Sequence, residues 1–320
     1  MKKYIVKKLL ISIVTIVLVM TLNFVLIHIA PGDPTTILLG KNVANPELKA
    51  VLAAKYGLDQ PLYVQYFKYF GQLVKGDLGD SIIFGRPVVE IIGEKIGPTL
   101  LLVGTASIIG LVLGTAAGIT AARKEGSVVD AAYSGGAYFL NAMPGFWLAL
   151  MLIIIFAVKL GWFPSSGMED VRAKYTGFAR VLDIAKHMFL PMLTLVLLDM
   201  PYYFRIAKSS VIQVNNEDYI MTYRAAGMSE KKIFRKYVLK NAILPVVTIF
   251  GITLAYLIAG VALIEIVFAW PGSGRVMLTA ISQRDYPVLM GIYLIMSIMV
   301  CATMIIIDII YAILDPRIRY

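Results

Sequence analysis

The chain has one cysteine, two histidines and little charge of either sign. Cys301 has no partner in the chain, so no disulfide framework exists, and it says nothing about redox compartment. His28, His187 and Cys301 are scattered, and no H-E-x-x-H occurs, so no metal site is expected. The phosphate-cradling pattern G-x-x-x-x-G-K-[ST] is also absent, so any ATP used by this protein is bound by another chain. No nucleophile, acid-base pair or metal cluster recurs on facing segments, and no catalytic residue is assigned. Charged residues make up only 16% of the chain against 59% hydrophobic, a balance no soluble domain of this size shows. The net charge of +10 would suggest nucleic acid in a soluble protein. Here the basic residues gather at the ends of apolar runs, where membrane topology accounts for them.

What is present is a series of apolar runs of about 20 residues, the length that crosses a bilayer. Six spans are expected: Leu9–Ala30, Pro98–Ala122, Ala137–Leu160, Met188–Lys208, Ala242–Ala269 and Tyr286–Leu314. Lys2, Lys3, Lys7 and Lys8 precede the first, as in a signal peptide. Its 22-residue apolar run exceeds a signal core, and no small-residue cleavage site follows, so it reads as a retained helix. With the N-terminus inside, sixteen basic residues fall on inner segments and six on the short outer loops. That bias places both termini in the cytoplasm. The reading divides the chain into residues 1–30 (N-terminus and first span), an extracytoplasmic segment 31–97, and a five-helix core 98–320 with a cytoplasmic loop at 209–241.

Along the chain, Pro31-Gly32-Asp33-Pro34 closes the first span. Two short helices, Pro46–Tyr56 and Pro61–Lys75, start at or near prolines, and Gly76-Asp77-Leu78-Gly79-Asp80-Ser81 supplies a turn. The second span carries Ala106, Gly110, Gly114, Gly118 and Ala122, a smooth face on which another helix can pack closely. Trp147 and Trp162 are interface aromatics, and Trp147 is also placed to meet the inner loop. His28 reads as a polar interface residue. The fourth span contains Pro191, Asp199 and Pro201. Ionisable residues within spans are functional candidates, here Asp199, Glu265 and Asp308. Asp199 and Tyr256, the latter in a fifth span with Gly251 and Gly260, are carried forward as candidates for the substrate path.

Asn215–Pro245 is a polar stretch between two apolar ones. Tyr219, Tyr223 and Ala226 fall at i, i+4 and i+7, and Ile233 and Tyr237 at i, i+4, which is helical spacing. The spacing fits either a short helix offered to a partner, with Ala225-Ala226-Gly227 allowing close approach, or a basic positive-inside loop. Arg224-Ala225-Ala226-Gly227 followed by Lys240-Asn241-Ala242-Ile243-Leu244-Pro245 resembles the coupling ("EAA") loop of ABC-importer permeases, in the variant of the peptide permeases. It departs from the sugar-importer form in its glycine spacing and in Arg224, which stands where a Glu is expected. The strings around Pro31–Pro34, Met143–Leu148, Leu160–Gly167, Glu265–Arg275, Arg284–Pro287 and Asp315–Tyr320 resemble the same family.

The resemblance covers nearly the whole chain and is to the first permease subunit of dipeptide, oligopeptide or nickel ABC importers. It implies an all-α membrane protein of six transmembrane helices in the type I ABC-importer permease fold. It implies multi-pass insertion in the cytoplasmic membrane of a prokaryote. The implied partners are a second permease subunit, two cytoplasmic ATPase subunits and an extracytoplasmic solute-binding protein. ATP and Mg would sit on the partners, with no cofactor on this chain. Tyr223, Arg224, Ala225, Ala226, Gly227 and Met228 would couple to an ATPase in an alternating-access cycle, and residues 31–97 would face the binding protein. Peptides are the expected substrate, with nickel or a nickel chelate as the alternative. An ion-coupled carrier is a more remote reading, because no internal repeat and few buried charges are visible.

Overall fold

The computed structural model describes residues 2–29, 47, 50, 51, 53, 54, 57–255 and 261–314. The Pro31–Pro34 turn, most of the expected Pro46–Tyr56 helix, Tyr256, Gly260 and Asp315–Tyr320 lie outside those residues. The elements are α1 (Lys2–Ile29), α2 (Leu62–Val74), α3 (Val88–Arg123), α4 (Val128–Asn141) and α5 (Gly145–Leu152), which continues as π-helical turns over Ile153–Lys159. Then follow α6 (Gly177–Asn215), α7 (Asp218–Ala225), and α8 (Glu230–Ile233), whose π-helical extension Phe234–Val238 leads into α9 (Leu239–Ala255). Then come α10 (Ala262–Val267) and α11 (Ser273–Gln283), before α12 (Tyr286–Leu314). Among the described residues there is no strand, only one isolated bridge between Asp80 and Pro87.

Five helical stretches are long and apolar enough to cross a membrane: those of α1, α3, α6, α8 to α9, and α12. A sixth crossing comes from α4 and α5 if taken together, but these meet at a bend of 101°. The span expected from Ala137 to Leu160 is therefore broken. Pro144 lacks the amide donor and restricts the residue before it, so helix resumes only at Gly145. The span expected from Ala242 to Ala269 is also divided, into α9 and the separate α10. Other helices outrun their apolar cores. α3 begins at Val88, ten residues before Pro98, because Pro87 starts it and Pro98 is accommodated inside. α6 runs from Gly177 to Asn215 through Pro191 and Pro201, so residues 209–215 of the expected loop are its last turns.

α3 and α6 form the central pair, and the small-residue face of α3 is what joins them. A methyl group on Gly114 would stand 2.5 Å from the Met200 carbonyl oxygen, and one on Gly118 2.5 Å from that of Phe204. On Gly110 it would stand 3.3 Å from Asp199 Cβ. Backbone therefore meets backbone, as small-xxx-small faces permit in lipid, where packing drives association between helices. Around this axis Leu102, Leu148, Leu195, Ile264, Phe268 and Trp270 form the largest buried cluster.

α1 and α12 pack antiparallel. At one end Lys8 and Asp308 form an ion pair of 2.7 Å. Toward the other, the His28 and Tyr286 rings lie 5.4 Å apart. The two ends of the chain's helical part thus lie on one face of the bundle. In the span of α1, Thr15 and Thr21 donate their hydroxyls to the carbonyls of Ile11 (2.9 Å) and Val17 (2.8 Å), which satisfies them where water is absent.

Gly114→Leu should force α3 and α6 apart. Overpacking a tight contact costs about 1–3 kcal/mol, and here the obstacle is backbone. The expected outcome is a lowered melting temperature in detergent, by comparison with Gly104→Ala, where a methyl group meets nothing within 4 Å. Equal melting temperatures would contradict the packing described.

Candidate coupling site and the outer anchors

α7 lies between the end of α6 and the start of α9 and packs against both through Ile220. It closes through a Schellman motif. The Met228 amide donates to the Tyr223 carbonyl (3.1 Å) and the Gly227 amide to that of Arg224 (3.0 Å), with Gly227 at φ 75°. Glycine is favoured there because a Cβ is strained in the left-handed region. Gly227 thus has a conformational role beside its place on the exposed face.

The motif also fixes which side chains face inward. Tyr223 and Met228 pack on a cluster of Val211, Ile220, Ile233, Val238 and Ala242, and the Tyr223 ring stacks at 4.3 Å on Tyr237. Both are half-buried within this chain. The outward face is instead Met221, Thr222, Ala225, Ala226 and Gly227.

Arg224 braces the loop. It donates to Glu230 Oε1 (2.8 Å) and to the Asn215 side-chain oxygen (2.7 Å), tying the last turn of α6 to the first of α8. It also lines a cavity of about 630 Å³ with Arg123, Glu125, Lys231 and Arg235. The Arg123 guanidinium lies over the Phe234 ring at 4.8 Å, a cation-π contact that joins the end of α3 to the same assembly. Trp147 is exposed, on α5.

Asp199 sits half-buried on α6, opposite Gly110. It has no hydrogen-bond or ion-pair partner among the described residues, and Tyr256 lies outside them. Asp308 is engaged with Lys8. Lys208, also on α6, pairs with Asp130 and donates to Ser134 (3.0 Å), fastening α4. His28 bonds to the Phe24 carbonyl (2.7 Å) and Gln65 (3.2 Å), and His187 to the Asp183 carbonyl (2.9 Å). In the outer loop, hydrogen bonds from Arg180 hold the Glu169 carboxyl below the usual carboxylate range.

Glu265 is fully buried, and its role differs from that of a path residue. Its carboxylate accepts from Thr99 Oγ1 (2.8 Å) and the Arg275 amide (3.0 Å). It lies at the N-terminus of α11, where unpaired amides and the helix dipole favour an anion. A side chain on Gly272 would overlap it. Thr99 in turn accepts from the Ser273 amide (2.8 Å), and Trp270 Nε1 donates to the Pro98 carbonyl (2.9 Å). Sequence reasoning singled out the Trp270–Arg275 turn but not this closure onto α3.

Asp285 performs a matching task and was missed altogether. It is fully buried and accepts from Ser81 Oγ, the Ile82 amide (3.1 Å) and the Ile83 amide (3.2 Å). The strap 76–87 is thereby bound to the outer end of α12. The signal available was the acid two residues before Pro287, opposite a serine-containing turn, and nothing local links them.

Comparison with known proteins follows from this geometry. The family described as binding-protein-dependent transport system inner membrane component matches residues 114–320, and its N-terminal counterpart matches residues 1–88. The oligopeptide transport system permease protein AppB of Bacillus subtilis (strain 168) is 38% identical, over 100% of both chains. The dipeptide transport system permease protein DppB of Escherichia coli (strain K12) is 35% identical, over 100% of this chain and 99% of its own. The glutathione transport system permease protein GsiC of Salmonella paratyphi A (strain ATCC 9150 / SARB42) is 36% identical over 100% of both. Among solved structures, a chain of the MetNI methionine ABC transporter shares the fold, with a TM-score of 0.53 and 19% identity. The match covers 71% of this chain and 97% of that one.

Asp285→Ala should release the strap. It leaves the Ser81 hydroxyl and two amides without their acceptor, at about 1–3 kcal/mol for each buried group left unpaired. Ile82→Cys in a Cys301→Ser background should be nearly inert to an impermeant maleimide. Adding Asp285→Ala should raise its labelling rate by at least about tenfold, the equivalent of 1.4 kcal/mol. An unchanged rate would mean that other contacts hold the strap.

Proposed function

We propose a function from one premise: this chain belongs to the family of binding-protein-dependent transport system inner membrane components. It is a permease subunit of an ATP-driven importer and forms half of a translocation path. The other half is a second permease subunit, an extracytoplasmic binding protein delivers substrate, and two ATPase subunits bind ATP and Mg on the inner side. The chain itself carries no catalytic residue. Both termini and the α7–α8 loop face the cytoplasm, because the basic residues of Lys2–Lys8 and Arg224–Lys240 stay on that side.

The substrate is a short peptide. Relatives that match along the full length are named for oligopeptide, dipeptide and glutathione transport. Against nickel, His28 and His187 are both engaged in local hydrogen bonds, and the Cys301 thiol lies 3.9 Å from the Ser12 carbonyl. Asp199 is the path residue on this reading. An unpaired carboxylate within a span suits the ammonium end of a peptide.

The observation that carries the proposal is the mounting of α7. Two residues join its N-terminal end to α6, and after the turn at 226–229 α8 runs without a helical break into α9. Arg224 and Tyr223 lock it to both sides. When the ATPases close on ATP, movement of α7 is delivered to two spanning helices at once, and through α6 to α3. An inward-open path becomes outward-open, and hydrolysis resets it.

The exposed face of α7 tests this. Ala225→Glu places charge and bulk where an ATPase would pack, while leaving the Schellman turn and the inner cluster intact. Burying an unpaired charge costs several kcal/mol, and 1.4 kcal/mol is tenfold in occupancy. The variant should insert normally, and transport in proteoliposomes with all subunits should fall at least about tenfold, together with ATPase binding. Lys231→Glu, on the wetter side, should do much less. Normal transport by Ala225→Glu at normal ATPase stoichiometry would move coupling elsewhere.

A further inference from the structure

α2 belongs to the segment read as extracytoplasmic, yet its composition and position are those of a membrane-embedded element. Tyr63, Phe67 and Val74 recur at i, i+4 and i+11, one stripe of a helix, with Phe70 at i+7 half-buried against the Met20 and Phe24 cluster. Tyr63 is 67% exposed, Phe67 70% and Val74 88%. The opposite side is occupied. Gln65 reaches His28 (3.2 Å) and donates to the Gln60 carbonyl (2.7 Å). Tyr66 bonds to the Thr21 hydroxyl (2.8 Å), and its ring meets Phe24 edge-on at 5.4 Å. Tyr69 lies 6.4 Å from the same ring.

Those partners set the depth. The apolar run of α1 begins after Lys8, and about 20 residues at 1.5 Å each cross the hydrocarbon, which places the far boundary near Ile29. Thr21, Phe24 and His28 therefore lie within roughly the outer 12 Å of the hydrocarbon. A helix packed on them cannot stand in water above the membrane. α1 itself leaves Leu18, Leu22, Val25, Leu26 and Ile29 exposed over the same depth.

We propose that α2 is a half-immersed helix whose Tyr63–Phe67–Val74 face lies among the lipids of the outer leaflet. Several features agree with this assignment. Amphipathic helices at a membrane surface bury their apolar face about 5–10 Å deep, and aromatic rings gather at that level. The one charged residue of α2, Lys68, reaches back toward the loop at Gly57, as a basic side chain does when it keeps its ammonium out of lipid. A water-borne binding protein would meet the Gly57–Gln60 loop and the 76–87 strap instead, and the apolar stripe would stay on the lipid.

Spin labels test the assignment in the full importer reconstituted in nanodiscs, in a Cys301→Ser background. Phe67→Cys and Tyr63→Cys sample the stripe and Lys68→Cys the polar side. Collision with oxygen, which enters hydrocarbon, is compared with collision with a neutral nickel chelate, which stays in water. The two stripe sites should show an oxygen-to-nickel ratio at least about tenfold above that at Lys68, the equivalent of 1.4 kcal/mol. Equal ratios at the three sites would overturn the proposal in favour of a water-facing helix. Protection of Tyr63 and Phe67 from both reagents would overturn it in favour of a protein partner. The same labels on the chain reconstituted alone distinguish a covering second subunit from the chain's own packing. None of these readouts depends on transport, so failure here leaves the importer assignment standing.

Discussion

Three absent side chains determine where the rest of the structure goes. Gly110, Gly114 and Gly118 bring α3 onto the backbone of α6 along Val196–Lys208. Helices in lipid gain little from hiding apolar surface from one another, because the lipid is equally apolar. What remains is close contact, and closeness requires glycine. Several other elements are attached to this pair. α4 is fastened by Lys208 to Asp130, α5 by Leu198 against Gly145, α9 by Tyr203 to Thr253, and the outer turn by Thr99 to Glu265. The contact runs along α6 from Val196 to Lys208 at backbone level, which leaves the two helices little room to separate.

The end of the bundle far from α7 raises the opposite difficulty, since it is irregular chain with many amides to satisfy. Two buried carboxylates meet it. Glu265 receives amides at the start of α11, and Asp285 receives those of Ile82 and Ile83. Each joins segments far apart in sequence, Thr99 to Glu265 across 166 residues and Ser81 to Asp285 across 204. A buried charge is tolerated only where hydrogen bonds replace its water, and both acids have them. The glycines of Trp270–Arg275 are explained by the same contact, because the carboxylate of Glu265 occupies the space a side chain on Gly272 would take.

Much of this was legible in the residues, and what was not has a physical reason. Apolar runs announce spans because lipid demands about 20 residues, and the four-residue repeat of α3 announces a partner helix. In the extensions of α3 and α6 charges such as Glu90, Glu94, Lys95, Arg180, Asp183 and Lys186 interrupt the apolar residues, so Val88–Gly97 and Gly177–His187 read as loop. The bend before Gly145 is a matter of direction, which periodicity does not record. Ala225-Ala226-Gly227 was read for its smallness, whereas the left-handed φ of Gly227 is the property that the turn uses. Asp285 is silent in sequence because its partners arrive only through the fold. Tyr66 and Tyr69 of α2 stood in a segment defined by its flanking turns, and depth becomes visible only once they touch α1.

Arg224 shows how a departure from a pattern is explained by its surroundings. The sugar-importer form of the loop, from which this chain departs, leads one to expect an acid at this position. Here the side chain points at the last turn of α6, where the Asn215 carbonyl lies 3.4 Å from Nη1 and the Asn215 side-chain oxygen 2.7 Å from Nη2. Carbonyls at a helix C-terminus carry partial negative charge and favour a cation. An acid would face those carbonyls and also Glu230. Arginine satisfies both, because its planar fork presents several donors in fixed directions. The ion pair with Glu230 is exposed and contributes little to stability. Its consequence is geometric: α6, α7 and α8 are held by one side chain, and the exposed face of α7 keeps a constant orientation relative to the spans it would move.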